Sequence, residues 1–297
     1  MGLLEDARNI QRKDPAARNV LEVILLYPGF HILVYHRIAH WLYRHKRFFL
    51  ARWVSQHGRR RTGIEIHPGA TIGRCLFIDH GMGIVFGETC EIGDNCTIMP
   101  YASILSGTRM GTNNTVYQGA IIGATPQDFK FKGEDTLLKI GNNNTIREKV
   151  IINRGTNTTD CTIVGNGNFL LESVHLAHDT HLGNNCVLGN AAKTAGNCIV
   201  DDNVILGSGV IVKHGCRIGT WALVKDGCRA NKDVPPYIVA AHNPIAYYGI
   251  NAYILRKEQK LTEEIIDDIA KAYRQVYQCG TSVENALLRI KETITIG

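Results

Sequence analysis

Four histidines, His175, His178, His181 and His214, carry the densest chemical potential in this chain. Folded on an 18-residue period, positions 178, 196 and 214 stack above one another, and they are His178, Gly196 and His214. A lone histidine in a strand is more often structural, whereas four within a few residues of one face form a group suited to proton transfer near neutral pH. Asp179, next to His178, is placed to orient its imidazole.

The elements that position these residues follow from a period of six. From Phe86 to Val224, 20 of the 24 positions in one six-residue phase are strongly apolar, the exceptions being Asp128, Glu134, Thr158 and Thr194. That period fits neither a helix nor an amphipathic strand, but it fits short strands laid end to end with a corner after each. Three residues after the apolar position the chain favours Gly or Asn, as at Asn95, Gly107, Asn143, Asn203 and Gly209, residue types that tolerate positive φ. The expected fold is mostly β: a left-handed parallel β-helix of hexapeptide repeats, flanked by N- and C-terminal α-helical segments. Prisms of this kind usually associate as trimers. Residues 124–138 interrupt the ladder without disturbing its phase, a natural place for a substrate-contacting loop.

The expected divisions are a helical segment over 1–62, the β-helix over 63–236 and a helical domain over 237–297. Asp14-Pro15 reads as a helix cap followed by a first-turn proline, and Thr281-Ser282-Val283-Glu284 as a capping box. An insertion around Gly81-Met82-Gly83 explains why the first rungs run two residues out of phase.

Composition narrows the function classes. The chain has 297 residues, 44% of them hydrophobic. Its nine cysteines include no CxxC pair, and six (Cys90, Cys96, Cys186, Cys198, Cys216 and Cys228) share one phase of the repeat. They read as small inward residues of a reduced, cytoplasmic protein rather than disulfides or metal ligands. No signal peptide or membrane span is expected, since the longest apolar run, Val20 to Tyr35, is short and broken by Pro28 and Gly29. Nor is a metal or a nucleic-acid partner. The net charge of +6 is concentrated in residues 1–62, with twelve Lys/Arg against four Asp/Glu. A solvated helical surface is the plainer reading of that charge, and an anionic partner the sharper one.

Two resemblances give these features a chemistry. Over about residues 6–97 the chain resembles the bacterial serine acetyltransferases, through Lys13-Asp14-Pro15-Ala16-Ala17, Tyr35-His36-Arg37-Ile38-Ala39-His40-Trp41, Gly63-Ile64-Glu65-Ile66-His67-Pro68 and Phe77-Ile78-Asp79-His80-Gly81. The resemblance implies an alternative site of His80 as base for serine, with Asp79 and a nearby Glu65, although that family's acetyl-CoA-binding rungs have no counterpart here.

From about residue 91 to 292 the chain resembles the acyl-carrier-protein-dependent UDP-N-acetylglucosamine O-acyltransferases of lipid A synthesis. Gln127-Asp128-Phe129-Lys130-Phe131-Lys132-Gly133-Glu134, Asn153-Arg154-Gly155-Thr156, His175-Leu176-Ala177-His178-Asp179, Asp233-Val234-Pro235-Pro236-Tyr237 and Gly249-Ile250-Asn251 carry it. It implies His178 as general base, the Gly196 N–H as oxyanion donor about 4.8 Å away across one strand spacing, and Gln127, Asp128, Lys130, His175, His214, Asp226, Asn251 and Lys257 as substrate-binding. Asp226 stands where a long-chain member has the glycine that ends the acyl groove. No cofactor is implied, the donor being carried on the phosphopantetheine of acyl carrier protein, and the partners implied are that protein and a nucleotide sugar. Asn197, Tyr253 and Glu258 depart from the family pattern and bear on acceptor identity. A fusion of two enzymes and a non-catalytic trimer that binds sugar nucleotides are further readings.

Overall fold

The computed structural model describes residues 2–293. Each hexapeptide makes a short strand whose second residue turns inward, as Ile98 and Ile146 do at full burial. The corner that follows is left-handed, with Asn143 at φ 58°, Asn203 at 60° and Gly209 at 69°. Successive coils pair 18 residues apart, Phe169 with Val187 and Leu170 with Leu188. Three sheets result, of nine, eight and ten strands among the described residues, beginning at Glu65–Ile66, Thr71–Ile72 and Phe77–Ile78 and parallel throughout except for the last strand of the third. They form the sides of a left-handed parallel β-helix whose aliphatic ladders make one continuous core.

The edge between the second and third sheets is closed by a column of corner side chains. Asn166 Oδ1 accepts the Asn142 N–H at 2.8 Å, Asn184 Oδ1 that of Asn166 at 2.8 Å, and Asp202 Oδ1 that of Asn184 at 2.7 Å. These bonds satisfy amides that no strand neighbour reaches.

Helices α1 (Leu3–Lys13), α2 (Val20–Leu26), α3 (Pro28–Arg44) and α4 (Phe48–Thr62) close the first coils. Buried Asn9 donates to the Cys75 carbonyl at 2.8 Å, Ser55 to that of Ile66 at 2.8 Å, and Lys13 to Thr97 Oγ1 at 2.9 Å. Asp14-Pro15 ends α1 instead of opening a helix, because proline drives the preceding residue to extended backbone and Asp14 sits at φ −102°, ψ 108°. Its carboxylate accepts the Ala16 N–H at 2.8 Å, and the next helix is capped by Asn19.

At the other end the third sheet continues past the expected boundary at 236. Ile238–Ala241 pairs in parallel with Leu223–Val224, and Ala246–Ile250 returns antiparallel to it. Only then come α5 (Ala252–Lys257), α6 (Glu263–Tyr277) and α7 (Val283–Thr293). A stack of Tyr247, Tyr273 and Tyr277, with centroids 5.6–6.2 Å apart, ties α6 to the hairpin. Ser282, not Thr281, caps α7, its hydroxyl accepting the Asn285 N–H at 3.2 Å, while Thr281 Oγ1 is buried without a partner.

Candidate active site

One edge of the prism, where the first sheet turns into the second, carries most of the chemistry-bearing residues. His178 is the corner between strands His175–Leu176 and His181–Leu182. One coil on, Gly196 occupies the same corner, and His214 the next. The two long insertions in the ladder leave from this edge too, whereas the short one around Gly81-Met82-Gly83 lies between the third sheet and the first. Residues 154–160 lie one coil before His178, between Ile151–Asn153 and Cys161–Val164, and residues 125–136 a coil earlier, between Ile121–Ala124 and Leu137–Ile140.

The insertions give His178 its partners. His178 Nδ1 lies 2.8 Å from Asp179 Oδ2, so a proton on Nδ1 is held by the carboxylate and Nε2 is left with its lone pair. The same carboxylate accepts the Thr156 hydroxyl at 2.6 Å and the Thr156 N–H at 3.0 Å. The Asp179 N–H in turn donates to Thr162 Oγ1 at 2.9 Å. Burial works to raise the pKa of Asp179, but the Thr156 hydroxyl, the imidazole and the Thr156 N–H outweigh it and hold the carboxyl below the ordinary aspartate value. From the longer loop, Asp128 Oδ2 reaches to 3.8 Å of His178 Nε2.

Gly196 lies against the imidazole face. A Cβ at that position would stand 2.3 Å from His178 Cε1 and 2.5 Å from Nε2, so only glycine lets the backbone lie there. Among the described residues no protein acceptor takes the Gly196 N–H.

The four histidines do not share a face. With a period of six, residues three apart fall on a side, a corner and the next side. His175 therefore projects from the first sheet, where Nε2 bonds Asn153 Oδ1 at 2.7 Å, and His181 from the second, 3.4 Å from Asp160. Burial, then the nearby Lys193 and His178, hold the His175 pKa below that of a free histidine. His214 is exposed two coils beyond His178. Gln127 and Lys130 are exposed on the loop, the Lys130 N–H donating to Asp128 Oδ1 at 2.9 Å.

Three expected substrate contacts lie elsewhere. Asn251 is buried at the foot of the C-terminal hairpin, donating to the Trp221 carbonyl at 3.1 Å, a structural task. Lys257 donates to the Tyr253 hydroxyl at 3.0 Å on the surface of α5. Asp226 sits on the edge between the third and first sheets and accepts the Ser208 N–H at 2.8 Å, so one chain alone does not bring it to His178.

The alternative site is incomplete in a different way. His80 is 84% exposed in its side chain with Nε2 3.8 Å from Asp79, while the Glu65 carboxylate is held by Arg52 at 3.2 Å and Arg59 at 3.0 Å. Asp14 and Tyr27 join Asp79 and His80 around a cavity of about 280 Å³.

Thr156, Asn153 and Thr162 carry no chemical mark of their own in the sequence. Thr156 and Asn153 stand in the Asn-Arg-Gly-Thr run, and the period break at Thr158 marks their loop; nothing signals Thr162.

A family model described as bacterial transferase hexapeptide (six repeats) matches residues 89–124, and one described as UDP-N-acetylglucosamine O-acyltransferase, domain 2, matches 233–296. The crystal structure of a UDP-N-acetylglucosamine acyltransferase from Bacteroides fragilis superposes with a TM-score of 0.72 and 45% identity, covering 78% of this chain and 90% of that one. The chain belongs to the hexapeptide-repeat O-acyltransferases. A related structure from Acinetobacter baumannii superposes on this acyltransferase with a TM-score of 0.72 and 31% identity, over 77% of this chain and 88% of the other. Curated serine acetyltransferases are also similar: that of Bacillus licheniformis is 45% identical over 165 residues, and that of Helicobacter pylori 40% over 185. Those matches cover 56% and 62% of the acyltransferase, and 63% and 91% of the relatives' own lengths. Both exceed the front stretch 6–97, as a shared hexapeptide ladder would produce. The acyltransferase thus combines a body like one enzyme class with a front like another.

Proposed function

We propose that the enzyme moves a 3-hydroxyacyl chain from acyl carrier protein to the 3-hydroxyl of UDP-N-acetylglucosamine. The observation that carries this reading is the linked set Thr156, Asp179 and His178, with the Gly196 backbone against the ring and Asp128 near Nε2. A thioester-to-hydroxyl transfer needs a base for the hydroxyl and a donor for the oxyanion, and this edge offers both. Nε2 takes the proton of the sugar hydroxyl as its oxygen attacks the thioester carbonyl carbon. The carbonyl electron pair moves onto oxygen, which the Gly196 N–H stabilises. Collapse breaks the carbon–sulfur bond, and the departing sulfur takes the proton back from Nε2. Asp179 keeps the ring in the tautomer with Nδ1 protonated and stabilises the transient imidazolium. Asp128 stands where a sugar hydroxyl would enter, with Gln127 and Lys130 on the same loop.

Because these groups lie on a prism edge, a second copy would supply the other wall of a cleft. A homotrimer with three sites at subunit edges follows, working in the cytoplasm. In that arrangement alone can Asp226 of one copy meet the acyl groove of another.

Serine acetylation at His80 is the second reading, favoured by the cavity that Asp14, Tyr27, Asp79 and His80 share. An assay offering acyl carrier protein and acetyl-CoA donors against sugar nucleotide and serine acceptors separates the two. His178→Ala should lower sugar acylation by about two to four powers of ten with acceptor affinity little changed, and His80→Ala should leave it near wild type. The reverse pattern of sensitivity would overturn the assignment.

A further inference from the structure

Helix α4 is packed the wrong way round for an ordinary surface helix. Its buried stripe is Ala51, Ser55, Gly58 and Thr62, and a Cβ on Gly58 would come within 2.9 Å of Tyr35 Cβ. Small residues therefore make its inner side, Gly58 against α3 and Ser55 on the Ile66 carbonyl, and the bulky apolar ones face outward. Phe49 is 82% exposed, Trp53 63%, Phe48 56% and Leu50 48%. Phe49 and Trp53, four residues apart, lie on one helix face. A helix that spends its small side on its own core and leaves this apolar surface in water has a second environment.

Charge says which one. From Val23 to Ile64 there is no Asp or Glu, against eight Lys or Arg. Arg44, Lys46 and Arg47 are exposed at the turn joining α3 to α4, beside the aromatic residues, and Arg60 and Arg61 are exposed at the far end of α4. Glu65 engages Arg52 and Arg59 only. A second copy of the chain meeting this face would set Arg44, Lys46 and Arg47 against their own counterparts without a carboxylate from the stretch. A folded acidic protein would need a pocket for each protruding ring, whereas a lipid headgroup layer accepts protruding Phe and Trp anywhere and brings phosphates to the cations. No helix among the described residues is long and apolar enough to cross a membrane, so the contact is with the surface.

We propose that the α3–α4 tip docks the enzyme on an anionic phospholipid surface, with Phe49 and Trp53 entering the headgroup boundary and Arg44, Lys46 and Arg47 against the phosphates. The docking is independent of the acyl-transfer assignment, since none of these residues belongs to the His178 edge.

The test is vesicle flotation of the full chain with phosphatidylglycerol–phosphatidylcholine vesicles against phosphatidylcholine alone. Binding to the anionic vesicles should be about tenfold stronger or more, weaken steeply with added salt and shift tryptophan emission to the blue. Phe49→Ser/Trp53→Ser and, separately, Lys46→Gln/Arg47→Gln should each lower it by about tenfold, with melting temperature unchanged. Should the aromatic pair fail to fold, the charge pair decides. Absence of binding to anionic vesicles, or binding unaffected by the charge pair, overturns the proposal. So does a wild type that ignores vesicles but self-associates, or captures acyl carrier protein, through these same residues.

Discussion

Gly196→Ala perturbs the site by a calculable amount. Its Cβ would sit 2.3 Å from His178 Cε1 and 2.5 Å from Nε2. Ordinary contact between carbon atoms is about 3.5 Å, so the ring has to withdraw by about 1 Å. That movement strains the 2.8 Å bond between Nδ1 and Asp179 and carries Nε2 away from the incoming hydroxyl. Misplacement of a reacting group by this much costs about a hundredfold in rate, and weakening the Asp179 bond adds up to another factor of ten. The expected loss in kcat/KM is therefore about 10²–10³, or about 2.7–4 kcal/mol of transition-state stabilisation. The assay is a double-mutant cycle by acyl transfer with His178→Ala. With no imidazole to strike, the added methyl should cost little in the His178→Ala background, giving strong non-additivity. Full activity of Gly196→Ala, or an equal loss in both backgrounds, would refute the reasoning.

Thr156→Val removes the 2.6 Å hydroxyl bond to Asp179 that helps hold its carboxyl below the ordinary aspartate value, and should lower kcat about tenfold with KM little changed, which steady-state kinetics would read. Asp226→Gly should move donor preference toward longer chains in a chain-length competition, because each methylene excluded from an apolar groove forfeits about 0.8 kcal/mol; an unchanged profile would remove Asp226 from that role. His36 is buried with Nδ1 unpartnered, and burial, then His40 and Arg37, push its pKa down to about 3. A folded pKa below the unfolded value of about 6.5 means the unfolded chain binds the extra proton, so stability is present above pH ~6.5 and is lost as pH falls from there toward pH 3. At pH 5 the loss is about 2 kcal/mol, and His36→Gln should flatten the melting-temperature profile between pH 7 and 5 relative to wild type; parallel profiles would contradict it.

The six-residue period alone dictated a prism, because only a chain turning a left-handed corner after each short strand can bury every sixth residue in one continuous core. It also set which side chains point inward, the burial of six cysteines included, and the stacking of positions 178, 196 and 214, since those depend on counting within an unbroken phase. Counting fails wherever residues are inserted. That residues 125–136 and 154–160 leave the same edge as His178 is decided by hydrogen-bonded register between coils, and so is the reach of Thr156 to Asp179 and of Asp128 to Nε2. Partner choice was equally illegible: Glu65 faces two arginines of α4, Asn251 holds the C-terminal hairpin, and Asp226 lies on another edge. Residues 237–250 read as the start of a helical part but extend the third sheet, because Leu223–Val224 still offers an open strand to pair with. The outward aromatics of α4 are decided last, by an inner side of small residues that packs Gly58 tightly on Tyr35 and Ile32 of α3 and bonds Ser55 to the Ile66 carbonyl of the first rung.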